Sequence, residues 1–304
     1  MTASFNNYNI RLSVCICTRN RPEDLLKALL SINESHIPIH ETIVSDDSTD
    51  NRTEKLVKEH FPNVLYLAGP RKGLSANRNN AIRAATGTHL MFIDDDVVLA
   101  ADFLEKICQS LLENEPLYGR KLIITGLENK RGDIIYPHDQ TFLGFQKRRY
   151  EGGDAIKTVV INSTVFPMSL FEEILFDEQL IYGYEEVDFA TRAVGRGYTI
   201  VLTEEAVNFH YPSEVNRDFY RPHIVTSRLY VTFKKYMYTE KKAAKAVSFL
   251  LVAFTHAMLH GIKAEGAAGL SKSLGAIASS IRYIRVHTKQ ASKIRKTSNE
   301  VLQG

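Results

Sequence analysis

Two runs of aspartate carry the first chemical signal in this sequence. Asp46 and Asp47 follow the apolar stretch 42–45 (TIVS), and Asp94, Asp95 and Asp96 follow 89–93 (HLMFI). Carboxylates this close repel one another, so two such clusters at the ends of apolar runs ask for a compensating charge. A hard divalent cation bridging to phosphate oxygens supplies it. All-oxygen ligands suit Mg2+ or Mn2+, whereas zinc would want Cys and His. Taken alone, Asp46 and Asp47 could instead cap the helix that follows them. An apolar strand running straight into three aspartates is harder to read that way. No G-x-G-x-x-G follows the first apolar run and no G-K-S/T occurs, which excludes dinucleotide and P-loop readings.

The elements that must hold these carboxylates alternate along the first hundred residues. Residues 12–18 (LSVCICT) form a continuous apolar run suited to a strand buried on both faces. Pro22, Glu23 and Asp24 open a helix whose expected apolar face is Leu25, Leu26, Leu29 and Leu30. Strands at 42–45, 64–67 and 89–93 alternate with helices at 53–60 and 74–85, the second ended by Gly87. This β-α-β repetition predicts an α/β fold with a doubly wound, mostly parallel sheet flanked by helices. Ligands of such sheets bind beyond the carboxyl ends of the strands, where both acidic clusters fall. Further on, 122–126 and 158–166 read as strands with a hairpin-like section around 130–136. Residues 139–154 read as a mobile loop, 186–196 as a helix, and 198–202 and 206–209 as strands. From Arg217 the pattern turns helical and basic, with eight Lys/Arg against two Glu over residues 263–304. A basic helical tail behind an apolar segment suggests an anionic membrane surface as a partner; a hairpin packed on the core with a solvated basic face is the alternative.

Bulk properties narrow the class. The 304 residues are 44% hydrophobic and 24% charged with a net charge of +3, an ordinary globular mixture. That balance argues against nucleic acid as a partner. Cys15, Cys17 and Cys108 complete no zinc spacing and read as reduced core residues of a cytoplasmic protein. Residues 1–10 are polar, without the charged start and apolar middle of a signal peptide. The longest apolar stretch, 246–259, is broken by Ser248, Thr255 and His256, and on sequence falls short of the roughly 20 residues a bilayer span requires. The expected location is therefore the cytoplasm, with peripheral attachment to the inner face of the membrane.

Five blocks together resemble a known family: 14–19 (VCICTR), 45–50 (SDDSTD), 73–82 (GLSANRNNAI), 91–96 (MFIDDD) and 183–192 (GYEEVDFATR). In this order and spacing, over about two-thirds of the chain, they resemble an inverting, non-processive family 2 glycosyltransferase with the GT-A fold. The resemblance implies a metal-dependent transferase, of the hexosyl- or deoxyhexosyl- type, using a UDP-, GDP- or dTDP-sugar donor and a glycan or lipid-linked acceptor. It implies that Thr18 and Asp47 lie against base and ribose with Asp46 in support, and that Arg19, Asp94 and Asp95 belong to the donor site. Asp94 and Asp96 match the two ends of the D-x-D motif and would hold Mn2+ or Mg2+. Arg71 and Arg78 would contact or organise the diphosphate, although a salt bridge fixing the helix would also account for Arg78. His210 matches a metal-binding His found near this position in some relatives; hydrogen-bonded packing is the alternative.

Displacing a nucleoside diphosphate with inversion needs a base for the acceptor hydroxyl. Glu185, Glu186 and Asp188 open a helix, where acidic side chains also suit the positive end of the dipole. The family has Glu-Asp here with the base second, which implies Glu186. Because this chain has Glu-Glu, the base lies between Glu186 and Glu185. The usual Gly after the paired aspartates is also absent. With no Trp in the chain, the Q-x-x-R-W motif of processive synthases cannot occur. The implied organisation is a donor-binding half at 1–115, an acceptor-binding half at 116–215 and a helical extension at 216–304. Two rival readings share the fold: a non-catalytic sugar-nucleotide or glycan-binding adaptor, and a sugar-phosphate nucleotidyltransferase. The latter expects a Gly-rich loop after the first strand, where 18–22 (TRNRP) has none.

Overall fold

The computed structural model describes residues 10–215 and 217–303, so the expectation for the N-terminal segment lies almost wholly outside the described residues. The elements begin with β1 (Leu12–Thr18), α1 (Pro22–Asn33), β2 (Glu41–Asp46), α2 (Arg52–His60), β3 (Leu65–Ala68), α3 (Leu74–Ala84), β4 (His89–Asp94) and β5 (Val97–Val98). They continue with α4 (Phe103–Tyr118), β6 (Leu122–Lys130), β7 (Asp133–Ile135), β8 (His138–Gln140) and β9 (Gln146–Arg149). After these come β10 (Thr164–Pro167), α5 (Met168–Glu173), α6 (Glu185–Val194), β11 (Thr199–His210), α7 (Arg217–Lys234) and α8 (Ala243–Gln303).

The chain divides into two compact units. The first holds the main sheet, in the order β3-β2-β1-β4-β10-β6-β11-β5 with β7 beside β6. β3, β2, β1 and β4 are mutually parallel, as the β-α-β spacing requires, and β6 and β11 are parallel as well. β10 runs antiparallel between β4 and β6, which makes the whole sheet mixed. Every residue of β1 is buried, as its unbroken apolar sequence demands of a central strand. One core face gathers Leu25, Leu29 and Ile32 of α1 against Val14, Ile16 and Met91. The opposite face is aromatic: Phe92, Phe166, Phe171, Phe176 and Phe189 pack together, with Phe176 and Phe189 stacked at 4.4 Å.

Several local expectations are corrected. Leu30 is 50% exposed, and Ala28 and Ile32 complete the buried face of α1 instead. Within 158–166 only the last part is strand; 161–163 form a 3-10 turn. Residues 139–154, expected as a loop, contribute to the two-stranded sheet β8-β9. The β6-β7 hairpin turns at Arg131 and Gly132, both with positive φ, the handedness that matches strand twist.

The second unit comprises 140–145, 182–184 and 218–304. Its core joins Leu229, Phe233 and Tyr236 to Ala246, Phe249, Ala253 and Ala257 of α8. α8 is interrupted at Glu265 and Gly266, whose backbone leaves helical values. The two arms fold back on each other: Ser273 Oγ donates to the Ala257 carbonyl at 2.9 Å, and Gly261 lies against Gly269 closely enough that a Cβ would collide. The expectation that the apolar stretch falls short of a span is also corrected. By length and composition alone, 243–293 is long and apolar enough to cross a membrane, with a mean hydropathy of 1.4 over its best 18 residues. One of the polar breaks is absorbed by the helix itself: Thr255 Oγ1 donates to the Leu251 carbonyl at 3.0 Å.

Candidate active site

The carboxyl ends of β1, β2 and β4 bring the aspartates together, because the parallel register sets Thr18 beside Asp46 and Cys17 beside Asp94. Asp46 accepts the Ser48 N–H at 2.8 Å and the Tyr66 hydroxyl at 2.9 Å. The first of these bonds is an Asx turn, which reverses the chain where the family's glycine is missing. Asp47 accepts the Arg71 N–H at 2.8 Å and so fixes the loop leading to α3. Gly69 is required beneath it, since any Cβ there would run into the Asp47 carboxylate and the Asn77 amide. Burial raises the Asp47 carboxyl above its ordinary range, against the charge of Arg19 nearby. Arg71 therefore serves Asp47 through its backbone, at a left-handed φ of 56°.

The three aspartates after β4 point different ways. Asp95 is wholly buried, accepting Thr18 Oγ1 at 2.6 Å and facing Arg21 Nη2 at 2.5 Å. Burial pushes Asp95 up to about 8 in spite of Arg21. It thus braces Thr18 from within the sheet edge. Asp96 turns the other way, receiving Arg21 Nη1 at 3.0 Å, the Ser213 N–H at 2.9 Å and His210 Nε2 at 3.3 Å. Burial works against its charge, but His210, Arg21 and the Ser213 N–H hold it down at about 2. Burial likewise opposes a charged His210, yet Asp96 and Glu128 raise the imidazole to about 10.

Asp94 meets a different partner. Arg78, on α3 and only 1% exposed, sends Nη2 to Asp94 Oδ1 at 3.5 Å and Nη1 to Glu185 Oε1 at 2.9 Å. Burial alone would weaken its charge; Glu185 and Asp94 raise its pKa instead. The guanidinium also lies over the rings of Phe92 and Phe176, at 5.6 and 5.4 Å. Arg78 therefore makes the salt bridge that its sequence context offered as the alternative, and it joins the end of β4 to the start of α6. Glu185 and Glu186 open α6, with Glu185 5% exposed. Glu186 is pushed up to about 8 by burial and by the neighbouring Glu185 charge, with Gln146 as a hydrogen-bond partner. Once ionised, at mildly basic pH, a carboxylate poised there is a stronger base than an ordinary glutamate.

Sequence reasoning missed a set of supporting residues. Asn162, in the 3-10 turn, accepts the Asp94 N–H at 2.9 Å and donates to Glu128 Oε1 at 2.8 Å. Glu128 Oε2 pairs with His210 Nδ1 at 2.9 Å. Asp94, Asn162, Glu128, His210 and Asp96 therefore form one hydrogen-bonded chain. Arg21 clamps Asp95 and Asp96 from α1's approach. The one sequence signal for Glu128 was a carboxylate closing the apolar run of β6, 122–127; Asn162 carried none.

Among the described residues no group of three or more His, Cys, Asp or Glu closes into a ready-made metal cage. What fits a divalent ion is an open pair: Asp96 faces His210 Nε2, and Glu128 fixes the His210 ring through Nδ1, as carboxylates do behind metal-bound histidines. Mixed oxygen and nitrogen donors of this kind suit Mn2+ at least as well as Mg2+.

Comparisons with known proteins agree with this fold. The family model described as Glycosyl transferase family 2 matches residues 13–175. An uncharacterized glycosyltransferase of Methanocaldococcus jannaschii is 24% identical over 80% of this chain and 85% of its own. The GalNAc(5)-diNAcBac-PP-undecaprenol beta-1,3-glucosyltransferase of Campylobacter jejuni is 33% identical over 34% of this chain and 35% of its own. Among solved structures, S. aureus TarS 1–349 in complex with UDP-GlcNAc superposes with a TM-score of 0.60 at 17% identity, over 90% of this chain and 81% of that one. A structure of a longer S. aureus TarS chain gives the same TM-score, with this chain spanning 49% of it. The fold is that GT-A architecture, and with more than half of its length matched by the family model, the chain belongs to the family 2 glycosyltransferases.

Proposed function

We propose that this chain moves a single sugar from a nucleotide-sugar donor to a hydroxyl of a glycan or lipid-linked acceptor, with inversion, in polysaccharide or cell-envelope glycan synthesis. The observation that carries this reading is the Arg78 bridge, which ties Asp94 at the end of β4 to Glu185 at the start of α6. A donor-side carboxylate and a base-side carboxylate are thereby held by one buried cation. Glu186 takes the proton of the attacking hydroxyl. As the oxygen bonds to the anomeric carbon, the bond to the diphosphate breaks and its electron pair leaves with the nucleoside diphosphate. Glu185, engaged by Arg78, positions and electrostatically raises Glu186. Asp96 and His210 would hold Mn2+ or Mg2+, which when bound offsets charge growing on the diphosphate.

The UDP and UDP-GlcNAc complexes of TarS support UDP among the UDP-, GDP- and dTDP-sugars. The name of the Campylobacter relative supports a lipid-linked acceptor. Three free, buried cysteines support a reducing, cytoplasmic setting. Thermal melting against these donors, with and without Mn2+, tests the reading. A donor at a hundredfold excess over Kd should stabilise by about 2.7 kcal/mol. Stabilisation by a UDP-sugar that needs metal and disappears in Asp96→Ala is expected; no stabilisation by any of the donors would overturn it.

A further inference from the structure

The first arm of α8 is apolar on two opposite faces. One face, Ala246, Phe249, Ala253 and Ala257, is buried in the core of the second unit. On the other, Val247, Leu251, Leu259 and Ile262 are exposed by 54, 69, 63 and 47%, and Val252 by 48%. Val247, Leu251, Leu259 and Ile262 follow one another at intervals of four, eight and three residues, which keeps them on one stripe of a helix with Val252 at its side. From Ala246 to Ile262 the sequence contains no Lys, Arg, Asp or Glu. A continuous charge-free face of this length, left in water, marks a contact surface.

Charge selects what covers it. Between Glu240 and Lys293 there are nine Lys/Arg against two Glu. Lys263 follows the stripe at its far end, Lys272 stands on the returning arm, and Arg282, Arg285, Lys289 and Lys293 continue along that arm. A second copy of this chain would bring the same positive charge to the contact and be repelled. An anionic lipid surface offers the opposite charge and an apolar layer together. Because Ala246, Phe249, Ala253 and Ala257 are already committed to the protein core, the helix has only one face to give to lipid. It therefore lies in the interface plane rather than crossing the bilayer.

We propose that the hairpin of α8 is a monotopic anchor. The Val247–Leu251–Leu259–Ile262 stripe enters the headgroup–acyl boundary of an anionic membrane, with the flanking Lys and Arg on lipid phosphates. The proposal is independent of the glycosyl-transfer reading, since vesicle binding is measured without donor and donor binding without vesicles.

The full chain is incubated with phosphatidylcholine vesicles and with vesicles containing phosphatidylglycerol, then separated by flotation. Tenfold or greater preference for the anionic vesicles is expected, falling as salt is raised. The chain has no Trp, so Leu259→Trp introduces a single reporter at an exposed position. Its emission should shift to the blue, and brominated lipid should quench it, on anionic vesicles only. The double variant Leu251→Gln, Leu259→Gln, both on the surface, should lose vesicle binding at least tenfold with unchanged melting. Equal binding to both vesicle types, no binding, or an unquenched reporter would overturn the proposal. So would a wild-type dimer that the double variant converts to monomer without any vesicle binding.

Discussion

Glu185 and Glu186 are neighbours in sequence with opposite electrostatic fates. Glu185 has a buried guanidinium 2.9 Å away, whereas Glu186 has chiefly burial and its neighbour's negative charge, which together lift it to about 8. Under the proposed function this assigns the base. Glu186→Gln should lower kcat by about 10²–10⁴, the range for a lost general base, while leaving donor-induced melting shifts intact. In the wild type, kcat/KM should rise with pH and level off above about 8, because only the ionised carboxylate accepts a proton. Glu185→Gln should move that midpoint down, since it removes a charge that raises Glu186. Unchanged midpoints in both variants would refute the assignment. Stability runs the opposite way, falling as pH rises: the folded state keeps a proton on Glu186 that the unfolded chain releases from about 4.5 upward. Melting temperature should therefore decline between pH 4.5 and 8 less steeply in Glu186→Gln than in wild type. On the other side of the site, Glu128→Ala frees His210 Nδ1 and should weaken Mn2+ binding about 10–100-fold, read by manganese EPR with UDP present. Full affinity in that variant would show that Glu128 serves packing alone.

Among the elements, α3 and α6 meet through Arg78. Arg78→Met would leave the Glu185 carboxylate buried without its cation, at a cost of about 3–5 kcal/mol by denaturant unfolding. A loss below about 1 kcal/mol would mean that water reaches the pair. The strand-helix alternation that builds this region is legible in the residues themselves, since 12–18, 42–45 and 89–93 are apolar runs ending where the site residues begin. Boundaries moved by a residue or two there. What stayed hidden depends on pairing across distance. The antiparallel insertion of β10 between β4 and β6 leaves no local trace. The β8-β9 sheet joins polar, short strands without alternation. Leu30 fits an apolar helix face by type, yet Ala28 and Ile32 occupy the buried side because the core selects by position. The same limit hid Asn162 and Glu128: their significance is a contact with Asp94 and His210, remote in sequence.

Over the whole molecule, one unit carries the carboxylates and the other an unpartnered apolar face. A lipid-linked acceptor would give both features one purpose, with the second unit holding the protein at the surface where its acceptor resides. Metal-assisted transfer from a nucleotide-sugar lies at the heart of this proposal. Release of UDP from UDP-sugars by the full chain probes it without an acceptor in hand, water taking that place. UDP release is expected that EDTA abolishes and Mn2+ restores, that is lost in Asp96→Ala, and that falls about a hundredfold or more in Glu186→Gln. Release that is indifferent to both substitutions, or none with any UDP-, GDP- or dTDP-sugar, would refute metal-assisted transfer by this site.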